Sequence, residues 1–303
     1  MKAFFGLSAG VILTCIISTA QQGSTELPQL IGPYLGQKAP GKTPEVFAPG
    51  IVSTAAHEFS CSFTPDGKEF YFTRRHPELN QPVIMVTKIQ DGVWTESEVA
   101  PFVENQISFE PLVTPDNKRL YFTFGKPVPG QTGPPMNIWC VEREGDGWGM
   151  PKNPRPPFNP AKTMYVSSAL GGTLYTTDIS EGPGKERIAV LRKVNGEYKA
   201  LERLSPPING ETPSMYPFIA TDESYLIFTS RRPSEKIDSV LFISFKKPDG
   251  NWGEPRAIDL GMKAGLPFVS PDGRFLFFTA GEQGKSDIYW VSAKIIEELR
   301  PKY

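Results

Sequence analysis

The chain has 303 residues, 39% of them hydrophobic, enough for one large domain or two average ones around a packed core. Its formal net charge is -1, with Lys and Arg scattered, which argues against a nucleic-acid footprint or a polybasic membrane patch. The 28 Gly and 31 Pro are spread along the sequence, a composition suited to many short strands joined by many turns.

The first segment differs from the rest. Lys2 is followed by an apolar stretch, Ala3 to Ile17, and by the small residues Ser18, Thr19 and Ala20. This pattern predicts a secretory signal peptide over residues 1–20, cut after Ala20. The apolar stretch is shorter than the roughly twenty residues needed to cross a bilayer, and no later segment is apolar enough to span one. Residues 21–43 read as an amino-terminal extension, 44–294 as the folded domain and 295–303 as a charged tail. Cys61 and Cys140 sit in apolar strand-like runs, FSCSF and NIWCV, and are read as two buried thiols.

From residue 44 onward one unit recurs. TPDGKEFYFT begins at Thr64 and TPDNKRLYFT at Thr114. The threonine ending each apolar run returns at Thr73, Thr123, Thr177, Thr229 and Thr279, after FYF, LYF, LYT, LIF and LFF. Such continuous apolar runs are expected of strands covered on both faces. A turn precedes each run, as in Pro65-Asp66-Gly67 and Pro271-Asp272-Gly273, where Pro fixes φ, Asp bonds forward and Gly accepts positive φ. Another short strand precedes each turn, and a variable loop leads from the run to a third strand. Four copies then make a second hairpin closed by an aromatic, Trp94, Trp148, Tyr198 or Trp252. The unit is therefore a four-stranded antiparallel meander of about fifty residues, the signature of a propeller blade.

The expected fold is all-β: a five-bladed β-propeller of four-stranded antiparallel blades. The fifth copy lacks its last strand. Glu45-Val46 and the residues after it match the outer strand and exit of the first blade, Glu98 to Val103, so this amino-terminal strand is expected to close the ring.

SPDGRFLFFTA with SDIYWVSA, TPDGKEFYFTRR, and DGNWGEPRAIDLG together resemble the WD40-like Pro-Asp-Gly repeats of TolB-type propeller proteins, over roughly residues 44 to 293. The resemblance implies the propeller fold and an exported protein of the bacterial envelope, periplasmic or extracellular. As a family, the short exported proteins of this kind are mostly without assigned activity.

Strand direction places the tight hairpins on one face of the ring, and the long loops and the lead-ins to the inner strands on the other. Long loops offer more surface to shape, so recognition is expected there. The lead-ins contribute His57, Glu58, Glu110, Tyr165 and Tyr216; the loops contribute Arg74, Arg75, His76, Lys126, Asp178, Arg231, Arg232 and Glu282. Arg74-Arg75 and Arg231-Arg232 are read as equivalent pairs that could clamp an acidic group. Such a rim suits a glycan, a peptide or an envelope protein as ligand of a monomeric binding or scaffolding module. The rival reading is a polysaccharide-cleaving enzyme, a glycoside hydrolase or lyase, for which Glu58 and Glu110 are the nominated carboxylate pair. With His57 and His76 the only histidines, no metal is expected, and no phosphate or dinucleotide motif suggests a cofactor. Pro151 to Pro160 reads as a rigid connector between blades, and the hairpin tryptophans as packing.

Overall fold

A computed structural model describes residues 30–126, 137–154, 157–158, 162–231, 240–282 and 284–302. The expected signal peptide, Arg232 and much of the proline-rich connector lie outside the described residues.

Each apolar run of the sequence forms the second strand of an antiparallel sheet, and five such sheets make a five-bladed propeller. The inner strands are Glu58–Phe63, Ser108–Val113, Thr163–Ser168, Ser214–Ile219 and Gly265–Val269. The second strands are Glu69–His76, Arg119–Phe124, Leu174–Asp178, Tyr225–Ser230 and Phe275–Glu282. Because both faces of these strands meet a neighbouring sheet, most residues in them are buried, and the core consists of clusters between blades.

The ring closes as expected. Glu45–Val46 pairs antiparallel with the third strand of blade five, Glu45 opposite Trp290 and Val46 opposite Tyr289. The next residue, Phe47, is fully buried and sits edge-on to Phe277 and Trp290 of blade five and to Phe63 and Phe70 of blade one. One side chain thereby seals the seam between the two ends of the propeller. Of the amino-terminal extension, Tyr34 joins this aromatic cluster and the Leu30 and Gly32 carbonyls accept hydrogen bonds from the Trp94 backbone and indole N–H groups.

The outer strand departs from the simple meander. In blade one it is split: Val93–Trp94 pairs with the tip of the third strand, and Glu98–Val99 pairs further back along it. In blade three Glu202–Arg203 pairs with the third strand, Arg187–Leu191, while Glu197–Tyr198 pairs with Lys193–Val194 just beyond it. The aromatic of the second hairpin therefore closes the turn, and the blade edge begins a few residues later. Cys61 and Cys140 are both free and buried. Burial pushes the Cys140 thiol up to about 11.

Every inner strand is interrupted at one place. Ser60, Glu110, Tyr165, Tyr216 and Leu266 have φ of 50°, 59°, 57°, 54° and 53°, and the pairing register shifts there in all five blades. These are β-bulges, and a left-handed non-glycine residue costs on the order of 1–3 kcal/mol wherever it is held. Fivefold repetition makes the bulge part of the blade design.

Candidate functional site

The bulges govern what faces the centre of the ring. The threonine that marks each repeat bonds the bulge of the following blade. Thr73 Oγ1 accepts from Glu110 N at 3.0 Å, Thr177 Oγ1 from Tyr216 N at 2.8 Å, and Thr279 Oγ1 from Ser60 N at 3.1 Å across the closure seam. The repeated Thr thus ties one blade to the next.

Two of the five junctions break this rule. Between blades two and three the Glu110 carboxylate stands in the gap: its Oε2 accepts from Thr123 Oγ1 at 3.1 Å and from Tyr165 N at 3.0 Å. Between blades four and five the buried Thr229 Oγ1 has no hydrogen-bond partner among the described residues. Thr229 Oγ1 would lie 3.6 Å from a Cβ built on Gly265.

Both irregular junctions border a cavity of about 560 Å³ on the long-loop face. Its wall comes from all five blades, through the residue ahead of each bulge: Phe59, Phe109, Met164, Met215 and Gly265. The first four are half-buried and form an apolar collar, Phe59 and Phe109 with ring centroids 6.4 Å apart. Gly265 leaves a gap in it. Glu110 and Tyr216 also line it. Tyr165 reaches across the ring from blade three, its hydroxyl donating to the Pro267 carbonyl of blade five at 2.7 Å, and stands edge-on to Tyr216 at 5.5 Å.

Electrostatics distinguish Glu110 from the other carboxylates. Only 4% exposed, it is raised by burial to about 7, although the bonds from Thr123 and Tyr165 favour its charged form. Oε1 has no hydrogen-bond partner among the described residues. Burial also raises the Tyr165 and Tyr216 phenols, which therefore stay neutral. His57 lines the cavity with Nδ1 accepting from Ser286 N at 3.2 Å, and burial lowers it below the usual imidazole range against the pull of Glu58. Arg231, Lys263 and Glu282 also line the cavity.

Of the residues singled out in the sequence, the cavity gathers His57, Glu110, Tyr216, Arg231 and Glu282. Others are placed elsewhere. Glu58 is fully buried outside the lining, bound by Arg74 Nε at 2.7 Å, Thr54 Oγ1 at 2.7 Å and Thr54 N at 3.2 Å. Arg74 continues to the Ile51 and Val52 carbonyls at 2.8 and 3.0 Å, so this ion pair anchors the closing segment to blade one. Glu58 and Glu110 therefore do not face one cavity. Asp178 is likewise engaged, with Arg203 Nε at 2.7 Å and Ser180 N at 2.9 Å. Arg75 donates to Asn80, and Lys126 lies over the Trp139 ring at 5.6 Å.

The expected equivalence of the arginine pairs is shifted by one residue. Arg74 follows Thr73 directly, whereas Ser230 follows Thr229, so Arg75 and Arg231 share a repeat position. Strand alternation separates the two kinds of site: the position after the threonine turns into the blade, and the next one turns out of it.

The sequence reading missed the collar. Its signal is a fixed offset from the repeat threonine, fourteen residues in four blades (73 − 59, 123 − 109, 229 − 215, 279 − 265) and thirteen in blade three (177 − 164). It also assigned little surface to the hairpin face, yet a second depression of about 560 Å³ lies there between blades one and two. One ion pair in it is tightly held: Arg143 grips Glu69 at 3.1 and 2.9 Å, bonds Asn117 at 2.7 Å and stacks on Trp148 at 3.8 Å.

No family model matches the sequence, and no curated protein matches it. Similar solved structures include TolB from Acinetobacter baumannii, 18% identical with TM-score 0.49, covering 80% of this chain and 53% of that one. The chain thus spans about half the length of that TolB. Also similar are oligogalacturonate lyase from Vibrio parahaemolyticus (11% identity, TM-score 0.41, 78% and 66% coverage) and periplasmic gluconolactonase from Pseudomonas aeruginosa (12%, 0.41, 76% and 70%). Among the described residues, no helix is long and apolar enough to cross a membrane, and no group of three or more His, Cys, Asp or Glu is placed to hold a metal ion.

Proposed function

We propose that this propeller is an exported binding module of the bacterial envelope, and that the cavity on its long-loop face is its recognition site. One observation carries the reading: all five blades contribute to a single apolar-walled recess, and the regular threonine junction fails at two places bordering it. Ligand pockets characteristically combine a mostly apolar wall with a few convergent polar groups. The depression on the opposite face lacks that character, because charged and polar residues such as Asp66, Lys68, Lys88, Arg143 and Asp146 line it in place of an apolar wall.

Gly265 supplies the test. A Cβ there meets only Thr229 Oγ1 at 3.6 Å and Cγ2 at 3.9 Å, ordinary contact distances, and the four equivalent residues carry side chains. Gly265→Met should complete the collar and narrow the recess while leaving the fold intact. Wild-type and variant protein would be titrated with a panel of glycans, peptides and small envelope metabolites, with unchanged circular dichroism as the control. Ligands bound by the wild type and lost in Gly265→Met support the reading; ligands bound equally by both place recognition elsewhere.

The enzyme reading keeps one specific support: a carboxyl group at about 7 is suited to general acid–base work. It predicts new reducing ends or unsaturated sugars on incubation with polysaccharide, lost in Glu110→Gln.

A further inference from the structure

The chemistry of the recess narrows the class of ligand further, given that the recess binds a ligand at all. Its collar of two phenyl rings and two thioethers offers no hydrogen bonds, so the hydroxyls of a sugar would find partners only at a few polar lining groups such as Thr229 and Tyr216, whereas an apolar stem needs none. The recess also presents the buried Glu110 carboxyl group, of which Oε2 is held by Thr123 and Tyr165 while Oε1 is left without a partner among the described residues. A carboxylate ligand would meet Glu110 as a like charge. A cation suits both parts: aromatic faces and polarizable sulfur attract it, and the buried carboxylate pairs with it.

We propose that the recess is a receptor for a small organic cation, a protonated amine on an apolar stem, with the ammonium group bonded to Glu110 Oε1 and the stem held between Phe59, Phe109, Met164 and Met215. The outer end of such a ligand emerges near Arg231 and Lys263, which favour a neutral or acidic group there.

Binding is coupled to the proton on Glu110. The groups facing this carboxyl are Tyr165 and Tyr216 from blades three and four, Cys61 beside Tyr165 from blade one, and His57, Arg231, Lys263 and Glu282 around the recess. The amine remains protonated throughout the neutral range, so affinity should rise as Glu110 ionises and level off above neutrality.

Calorimetric titration with hexylammonium, hexanol and hexanoate at pH 5.5 and 8.5 tests the assignment. Hexylammonium is expected to bind at least tenfold more tightly than either analogue at pH 8.5, to weaken about tenfold or more at pH 5.5, and to be excluded by Gly265→Met. Glu110→Gln should lose at least tenfold and flatten the pH profile. If that variant does not fold, the wild-type pH profile and the Gly265→Met arm carry the test alone. Equal or tighter binding of hexanol or hexanoate, a flat wild-type profile, binding that survives Gly265→Met, or no binding at all would overturn the cation assignment. In the last case another ligand sensitive to Gly265→Met would still uphold the binding module, which keeps the two ideas separable.

Discussion

The junction between blades three and four and the junction between blades four and five are built from the same repeat, yet only one is complete. Thr177 Oγ1 accepts from the Tyr216 backbone at 2.8 Å, while Thr229 Oγ1, at the matching place, is buried without a partner among the described residues. The intact junction binds one blade to the next. The broken one borders the recess beside Gly265. Both kinds of junction border the recess, Tyr216 and Thr279 lining it from intact ones, so what sets the junction beside Gly265 apart is the unmet Thr229 hydroxyl it leaves there.

The largest effect should come from the closure seam, where polar groups are fully engaged. Glu58→Ala strands Arg74 beside the closing segment, and losing one partner of a buried ion pair costs about 3–5 kcal/mol. Urea denaturation should register that loss, whereas a change below about 1 kcal/mol would mean Glu58 and Arg74 do not hold the seam.

Next in size is the pH dependence owed to Glu110. Its folded-state value is raised to about 7 from an ordinary 4.5, so the folded protein holds the proton more tightly than the unfolded chain. This contribution is complete below about 4.5 and disappears as pH climbs through 7, so it makes the protein less stable with rising pH across that window. At about 1.4 kcal/mol per unit, it amounts to at most about 3.5 kcal/mol. Melting temperatures from pH 5 to 8 for the wild type and Glu110→Gln should differ in slope by this contribution; parallel curves would remove Glu110 as its source.

The smallest effects bear most directly on the two junctions. Thr177→Val leaves the Tyr216 N–H without an acceptor and should cost about 1–3 kcal/mol. Thr229→Val removes a hydroxyl that bonds nothing among the described residues and should be neutral or slightly stabilising. Equal losses in chemical denaturation would show that the two junctions are alike after all.

The blades were legible because their signals are local. Pro-Asp-Gly turns, the apolar triplet and the closing threonine each lie within ten residues, and Glu45-Val46 could be matched to Glu98-Val99 by composition alone. The cavity was legible only in part. His57, Glu110 and Tyr216 were expected on the long-loop face and do line the cavity there, but strand alternation decides which neighbour turns inward, and the bulge at Glu110 resets that alternation. Glu58 stands one residue after His57 and faces a different environment altogether.

By itself, then, the sequence determined the repeat, the blade count and the ring closure, since these follow from turn chemistry and from apolar strands that must cover one another. Tertiary structure alone decided that the threonines link neighbouring blades, that Glu58 and Arg74 hold the seam, and that Phe59, Phe109, Met164, Met215 and Gly265 meet in one wall. Residues about fifty positions apart become neighbours only when the ring closes, and a left-handed bulge, which no single residue type announces, aims each of them at the axis.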